Sequence, residues 1–210
     1  MISQVAKSVE ELCKHDSSGH DWWHIFRVWN LSKKIAKQEI ADLNLVEIAA
    51  LLHDVDDWKL NSTTHAICPN AKRILSENGA PQEFIDQVIG IINEVSFKGA
   101  GVDTKPSSLE AMIVQDADRL DAIGAIGVAR TFAYGGYKNQ PMHLPYLKPT
   151  LHKNFDDYKN SRTSTINHFY EKLLLLKDRL NTETAKQLAI KRHQFMEQFL
   201  EQFYAEWNLE

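Results

Sequence analysis

Three short segments of this chain combine histidines with acidic residues, the side chains most able to hold a metal ion. The first contains His24, the second is LLHDVDDWK over residues 51–59, and the third is DADRLD over residues 116–121. In the second segment an apolar run ends abruptly at His53 and Asp54. Burying an imidazole and a carboxylate there is strongly unfavourable unless they are paired or bound to a metal. The pattern therefore predicts a metal site.

The third segment repeats this arrangement, because its acids also follow an apolar run, residues 111–114. Imidazole and carboxylate together suit Zn, Mn, Fe, Co or Ni better than Ca. Two histidines and two aspartates would leave coordination positions open for water and for a substrate oxygen. We therefore expect a divalent ion that acidifies a water molecule and polarises a phosphoryl or carbonyl oxygen.

Cationic and imidazole side chains flank these segments and are candidates to contact substrate. His20 lies four residues before His24, on the same helix face, where it contacts substrate or is a first-turn polar residue. Arg27, one turn beyond His24, either clamps a phosphate or pairs with an acid of the cluster. Lys59 follows the second segment, and Lys98 precedes the sequence GAG, where glycine permits a close approach of the backbone. For both lysines the alternative is a solvated charge.

Helices must position these residues, because composition and apolar periodicity leave little room for strands. Of 210 residues, 43% are hydrophobic and 25% charged, with nine glycines and six prolines. That content can bury a core, and it holds too few turn residues for many short strands. We therefore predict an all-α, single-domain helical globule. Apolar spacing predicts helices near 2–14, 21–40, 44–53, 65–78, 81–95, 108–134, 162–180 and 182–207, with irregular stretches at 96–107 and 134–149.

Charge and cysteine usage exclude several partners and settings. A formal net charge of -4 and a pI near 6.1 provide no basic field for duplex nucleic acid. No window approaches about 18 consecutive apolar residues, and the amino terminus lacks the apolar run of a signal peptide, so we expect no membrane segment. Cys13 and Cys68 have neither disulfide-framework nor metal spacing. We therefore expect a cytoplasmic protein. We also expect Arg119 and Arg130 to make ion pairs.

The three segments, taken in order, resemble the signature of the HD-domain superfamily of metal-dependent phosphohydrolases, whose pattern is H…HD…D. They read H-x-x-R-V over residues 24–28, L-H-D over 52–54 and D-A-D-R-L over 116–120. The divalent ion that the resemblance implies is Mn, Co, Ni, Fe, Zn or Mg. The metal ligands that it implies are His24, His53, Asp54 and Asp118, with Asp116 or Asp121 as the alternative to Asp118.

The resemblance also implies a catalytic acid three residues after the motif aspartate. That position is Asp57, which would position or deprotonate the attacking water, although many relatives carry glutamate there. Three flanking segments, SFKG over residues 96–99, YGG over 134–136 and the aromatic stretch 195–203, resemble one bacterial branch of small HD-domain hydrolases. The resemblance therefore implies one domain over 1–210, with a signature core of about 20–125 and a helical extension of about 126–210.

That bacterial branch implies a nucleotide pyrophosphohydrolase, which converts a nucleoside triphosphate to the monophosphate and pyrophosphate by attack of a metal-activated water. The partner is then a nucleotide or another phosphate ester. The alternatives are a nucleoside monophosphate or cyclic-nucleotide phosphohydrolase, and a non-catalytic helical module that binds metal and nucleotide. A further alternative, a two-iron oxygenase, would need additional metal ligands, for which His20, Asp56 and Asp57 are the candidates. The sequence leaves open a homodimer through the aromatic C-terminal helix.

Overall fold

The computed structural model describes residues 1–14, 21–56, 67–97, 99–102, 104–151, 157 and 163–210. The regular structure in these ranges is helical throughout, which confirms the all-α prediction. The α-helices are α1 (Ile2–Leu12), α2 (Trp22–Glu39), α3 (Leu43–Leu52), α4 (Pro69–Glu77), α5 (Gln82–Val95), α6 (Leu109–Asp121), α7 (Gly124–Tyr137), α8 (Thr165–Glu171) and α9 (Glu183–Asn208), and two 3-10 turns span Leu173–Leu175 and Lys177–Arg179. Among these described helices, none has the length and apolar content needed to cross a bilayer.

The contacts of the chain divide it into two compact units. The first comprises Met1–Phe97 and Thr104–Asp118, and the second comprises Lys98–Asp103 and Arg119–Glu210. The division falls within α6, which belongs to the first unit up to Asp118. The predicted boundary between a signature core and a C-terminal extension near residue 125 stays a prediction.

In the first unit, α3 is the central helix. All of its residues from Val46 to Leu52 are buried, and the helix packs against α1, α2 and α5. A helix that is apolar around most of its circumference belongs in a core. Asp42 caps its start by accepting two backbone N–H groups. His53 and Asp54 follow directly from this buried stretch and are themselves buried.

Helix α2 also belongs to the first unit, where it packs against α3. Its start is capped by Asp21, whose carboxylate accepts the His24 N–H at 2.9 Å. Its end is marked by the left-handed backbone of Ile40. Trp29 Nε1 donates to Glu47 Oε2 at 2.8 Å, which ties α2 to α3. With this packing the His24 side chain is fully buried.

In the second unit, α7, α8 and α9 share an aromatic core. The ring centroids of Phe132, Phe169 and Phe199 lie between 5.6 and 6.2 Å apart. The longest helix, α9, starts at Thr182, whose hydroxyl accepts the Ala185 N–H at 3.3 Å. Of these rings, Phe199 belongs to the aromatic stretch 195–203 of the C-terminal sequence.

The helix predicted over 108–134 is wrong, because α6 ends at Asp121 and α7 begins at Gly124. Gly124 has a φ of 79°, which is unfavourable for any residue with a side chain. A Cβ at this position would also lie 3.0 Å from the Cβ of Arg192. The apolar periodicity continues across the break and therefore could not reveal it. Two smaller differences are that α7 extends to Tyr137, and that the helix predicted over 162–180 is α8 followed by the two 3-10 turns.

Candidate metal centre

Two histidines from different helices meet within the first unit. His24 lies in the first turn of α2, and His53 is the C-terminal cap residue that follows α3. Their Nε2 atoms are 3.3 Å apart. The side chains are 0% and 1% exposed, respectively. Two ligand atoms held about 2.0–2.1 Å from one metal ion, at octahedral or tetrahedral angles, are about 2.8–3.4 Å apart. The nitrogen separation therefore fits a shared metal ion.

The ring of His53 is oriented by the helix that precedes it. Its Nδ1 lies 2.8 Å from the Ala50 carbonyl oxygen. A carbonyl oxygen can only accept, so this bond requires the proton on Nδ1 and leaves the lone pair on Nε2. Histidine ligands of metals commonly have their other nitrogen held in this way. The only signal of this contact in the sequence is the spacing of three residues between Ala50 and His53 at the end of a helix.

Two carboxylates face the histidine nitrogens. Asp54 Oδ2 lies 3.2 Å from His24 Nε2, and Asp54 Oδ1 lies 3.7 Å from His53 Nε2. Asp118 Oδ1 lies 3.5 Å from His24 Nε2 and 3.9 Å from His53 Nε2. The Asp118 side chain is 29% exposed, whereas that of Asp54 is 9% exposed. The cluster is therefore closed on the Asp54 side and reaches solvent on the Asp118 side.

The donor set suits a divalent cation. Ligand atoms of His24, His53 and Asp118 all lie within 4.8 Å of one another. Asp54 adds a second carboxylate to the same two nitrogens. Buried carboxylates are costly without a compensating positive charge, and a mixed set of imidazole and carboxylate ligands is typical of transition metals. The cluster could hold such an ion.

Two other acids of the two motifs, Asp121 and Asp56, have structural partners. Asp121 accepts from Arg130 Nη1 at 2.9 Å, which confirms the ion pair expected for Arg130. Asp56 accepts the N–H groups of Asn70 and Ala71 at 3.2 and 2.9 Å, at the start of α4. Its carboxylate thus caps a helix, a role that weakens the case for Asp56 as an oxygenase ligand. Of the three acids in the third segment, the structure brings Asp118 to the histidines.

Of the remaining candidate site residues, one lies in the described part of the chain and four lie outside it. Arg27 lies on α2 and is half-buried, and its predicted role as a phosphate contact stays a prediction. The candidates outside the described residues are Asp57, Lys59, Lys98 and His20. The arrangement that the structure does bring together is thus the set implied as metal ligands.

Comparison with known proteins extends the similarity beyond this cluster. A family model described as HD domain matches residues 22–123. YpgQ of Bacillus subtilis is 42% identical over 200 residues, which are 95% of this chain and 90% of YpgQ. The crystal structure of YpgQ in complex with ADP has a TM-score of 0.76 at 38% identity, covering 98% of this chain and 97% of that one.

Two other solved structures are similar over the whole chain. An HD-superfamily hydrolase from Bacillus thuringiensis has a TM-score of 0.76 at 42% identity, covering 100% of this chain and 97% of that one. A protein from Lactobacillus plantarum has a TM-score of 0.89 at 37% identity, again covering 100% and 97%. The similarity therefore includes the C-terminal helices as well as the three motifs.

Proposed function

Because the chain belongs to the HD superfamily of hydrolases, we propose that it is a divalent-metal-dependent phosphohydrolase that acts on nucleotides. The observation that carries this proposal is the convergence of the His24 and His53 Nε2 atoms, 3.3 Å apart, with a carboxylate oxygen 3.2 Å from the first. Hydrolases of this chemistry need a cation where charge develops on phosphoryl oxygens. The cluster is the place in the first unit where such a cation would be held.

The residues that would hold the ion are His24, His53, Asp54 and Asp118. A divalent ion bound there would acidify a water molecule and neutralise charge on a phosphoryl oxygen. The contribution of the chain is to fix the geometry, through the Ala50 carbonyl on the His53 ring and through the start of α2 at Asp21. The exposed side of Asp118 leaves access for substrate.

The proposed substrate is a nucleoside triphosphate, cleaved to the monophosphate and pyrophosphate. YpgQ, which is similar over nearly the whole chain, was crystallised with ADP, and this supports a nucleotide with a chain of phosphates. In the proposed reaction the oxygen of one water bonds to the α-phosphorus, while the bond from that phosphorus to the bridging oxygen breaks. The net charge of -4 is compatible, because a metal ion and a few cations neutralise phosphate locally.

Further roles are proposed for residues around the cluster. Asp57 would position or deprotonate the attacking water, as the HD resemblance implies. The residues proposed to contact the substrate are Arg27, Lys59, Lys98 and His20. Among these, Arg27 is on the same helix as His24, one turn further along, so it shares the rigid support of α2.

A panel assay tests the proposal. Purified metal-free protein is supplied with Mn²⁺, Co²⁺, Ni²⁺, Fe²⁺, Zn²⁺ or Mg²⁺ and with nucleoside tri-, di- and monophosphates and cyclic nucleotides. Chromatography identifies the products, so release of pyrophosphate is distinguished from release of phosphate. We expect triphosphates to yield monophosphate and pyrophosphate in a metal-dependent reaction. Absence of turnover with every metal and nucleotide would refute the proposal, and turnover of monophosphates or cyclic nucleotides alone would replace the substrate.

Variants test the ligand assignment in the same assay. His53→Ala and Asp54→Ala should lose metal binding and turnover while keeping the helical circular dichroism of the parent. His193→Ala is the matched control, because His193 is another largely buried histidine, paired with Glu197 at 3.4 Å on α9. Full turnover by His53→Ala would show that the assignment is wrong.

A further inference from the structure

Helix α4, in the first unit, begins without a cap from its own N-cap residue. Cys68 occupies that position with a left-handed backbone, at φ 45° and ψ 60°, and its side chain makes no capping hydrogen bond. Its thiol donates instead to Asn93 Oδ1 at 3.7 Å. The first N–H groups of a helix have no acceptor within the helix and need one from outside it. For α4 the acceptor must therefore come from another part of the chain.

The acceptor is the carboxylate of Asp56, which lies well before α4 in the sequence. Asp56 Oδ1 accepts from the Asn70 N–H at 3.2 Å and from Asn70 Nδ2 at 2.9 Å. Asp56 Oδ2 accepts from the Ala71 N–H at 2.9 Å. The positive end of the helix dipole adds to the attraction for a carboxylate. Asp56 therefore takes over the capping role that Cys68 does not perform.

Asp56 belongs to the same turn as His53 and Asp54, which spans residues 53–56 directly after α3. The first end of this turn is held at α3 by the bond from His53 Nδ1 to the Ala50 oxygen. The other end is held at α4 by the three hydrogen bonds that Asp56 accepts. The two residues proposed as metal ligands therefore lie on a turn that is anchored at both ends.

Helix α4 is a firm anchor because it is packed into the first unit. It packs against α1 and α5, and both of these helices pack against α3. Asp56 is only 3% exposed, and its hydrogen-bond donors among the described residues all lie at the start of α4. A displacement of the turn would leave a buried carboxylate without these donors, which is unfavourable. The hydrogen bonds of Asp56 therefore oppose movement of the turn.

We propose that Asp56 is a positioning residue of the metal centre, which fixes the turn of His53 and Asp54 through its hydrogen bonds to the start of α4. The inference rests on the metal centre of the proposed function. Asp56 acts through the backbone of the turn, because its own carboxylate is engaged by Asn70 and Ala71. Binding of the ion and formation of the cap are then coupled. Such coupling is reciprocal, so the ion stabilises the start of α4 by the factor by which the cap raises metal affinity.

Calorimetric titration of the metal-free protein with Mn²⁺ tests this inference, at a temperature where circular dichroism shows every variant to be folded. Asp56→Ala removes all three hydrogen bonds. Asp56→Asn keeps one oxygen as an acceptor and loses the charge and the second acceptor. Thr182→Ala is the matched control, because the Thr182 hydroxyl caps α9 in the second unit, where it accepts the Ala185 N–H at 3.3 Å.

Loss of a group that orients metal ligands lowers metal affinity about 10- to 100-fold. We expect Asp56→Ala to raise the Kd for Mn²⁺ about tenfold, at the lower end of this range, because Asp56 acts through the backbone and not through a bond to a ligand. Asp56→Asn should raise the Kd less. Thr182→Ala should leave the Kd within about twofold of the parent value, although loss of a cap destabilises that protein as well.

Hydrogen exchange measured by mass spectrometry distinguishes a positioning residue from a merely structural cap. Exchange of the peptide that covers α4 is compared with and without saturating Mn²⁺. We expect Mn²⁺ to slow exchange of the Asn70 and Ala71 amides about tenfold in the parent, because the coupling is reciprocal. In Asp56→Ala this effect of Mn²⁺ should be absent. A merely structural cap would protect these amides to the same extent with and without Mn²⁺.

The outcomes separate this inference from the proposed function. If the parent binds Mn²⁺ and hydrolyses nucleotides, the inference is overturned by equal Mn²⁺ affinity in folded Asp56→Ala, or by exchange of α4 that Mn²⁺ does not change, and the proposed function stands. If the parent binds no divalent ion, both are overturned. If Asp56→Ala binds Mn²⁺ more weakly than the parent but the parent hydrolyses no nucleotide, the positioning role stands and the proposed function is wrong.

Discussion

Asp118 and Asp121 lie one turn apart on α6, and the structure predicts opposite consequences for removing each of them. Asp118 faces the two histidines, at 3.5 and 3.9 Å, and its side chain is 29% exposed. Asp121 is paired with Arg130 at 2.9 Å, and its side chain is 2% exposed. We expect Asp118→Asn to abolish metal binding with little effect on stability. We expect Asp121→Asn to destabilise the fold and to keep the metal.

The size of the Asp121 effect follows from the charges that would remain. Removing one partner of a buried ion pair leaves the other charge uncompensated, which costs about 3–5 kcal/mol. Here Arg130 is 18% exposed, and the pKa of Arg192 is lowered by burial and raised in turn by Asp121. Asparagine keeps part of the hydrogen bonding, so about 2–4 kcal/mol is a reasonable expectation. For a chain of this length that corresponds to a thermal transition about 4–16 °C lower.

The Asp118 effect on stability is expected to be small because the side chain is 29% exposed and its contacts at 3.5 and 3.9 Å are to the imidazoles of His24 and His53. Pairs of this exposure contribute about 0–1 kcal/mol. The assays are urea and thermal unfolding in EDTA, with Mn²⁺ affinity measured by calorimetry at a temperature where both variants are folded. Loss of Mn²⁺ affinity in folded Asp121→Asn, with retention in Asp118→Asn, would refute the assignment.

Three further outcomes can be measured on stability alone. Glu171 accepts hydrogen bonds from the Thr150 N–H at 3.0 Å and from the Thr163 hydroxyl at 2.9 Å. Glu171→Ala should therefore lower the free energy of unfolding by about 1–3 kcal/mol, as measured by urea unfolding. Asp56→Ala should cost about 1–2 kcal/mol in the same measurement, because it removes the cap of α4. Burial, with a smaller contribution from Asp56, raises the pKa of the Cys68 thiol to about 11. The native state therefore keeps a proton that the unfolded state loses above its ordinary pKa of 9.0, so stability should fall by about 2–3 kcal/mol between pH 9 and 11. Cys68→Ala should lack this slope, and a wild-type slope in that variant would contradict the explanation.

The helical fold could be predicted because the apolar pattern and the caps are local properties of the sequence. Asp21 and Asp42 lie just before the periodic runs that become α2 and α3, and both carboxylates cap their helices. The break at Gly124 could not be predicted in this way, because the apolar residues on either side continue one pattern. The break coincides with a close approach of Arg192 to Gly124, and Arg192 lies far along the chain.

The ligand set could be proposed because its residue types are rare in apolar surroundings and occur in a recognisable order. Spacing alone does not bring His24 to His53, since the two are 29 residues apart in the sequence. Their meeting depends on the packing of α2 against α3, to which the Trp29 to Glu47 bond contributes. The geometry of the centre is therefore a consequence of tertiary packing that the motif implies only by resemblance.

Arginines that donate to backbone carbonyls are the contacts that sequence reasoning could not identify. Arg119 was expected to make an ion pair, and the structure shows it donating to the carbonyl oxygen of Arg179. Arg192 likewise donates to the Leu120 carbonyl. Every residue carries a backbone carbonyl group, so the residue types in a sequence cannot show which carbonyl accepts a hydrogen bond from an arginine. An acidic partner, in contrast, can be recognised from its residue type. Because the acceptors are fixed peptide groups, the forked geometry of the guanidinium matters more than its charge, and lysine at these positions should not replace it.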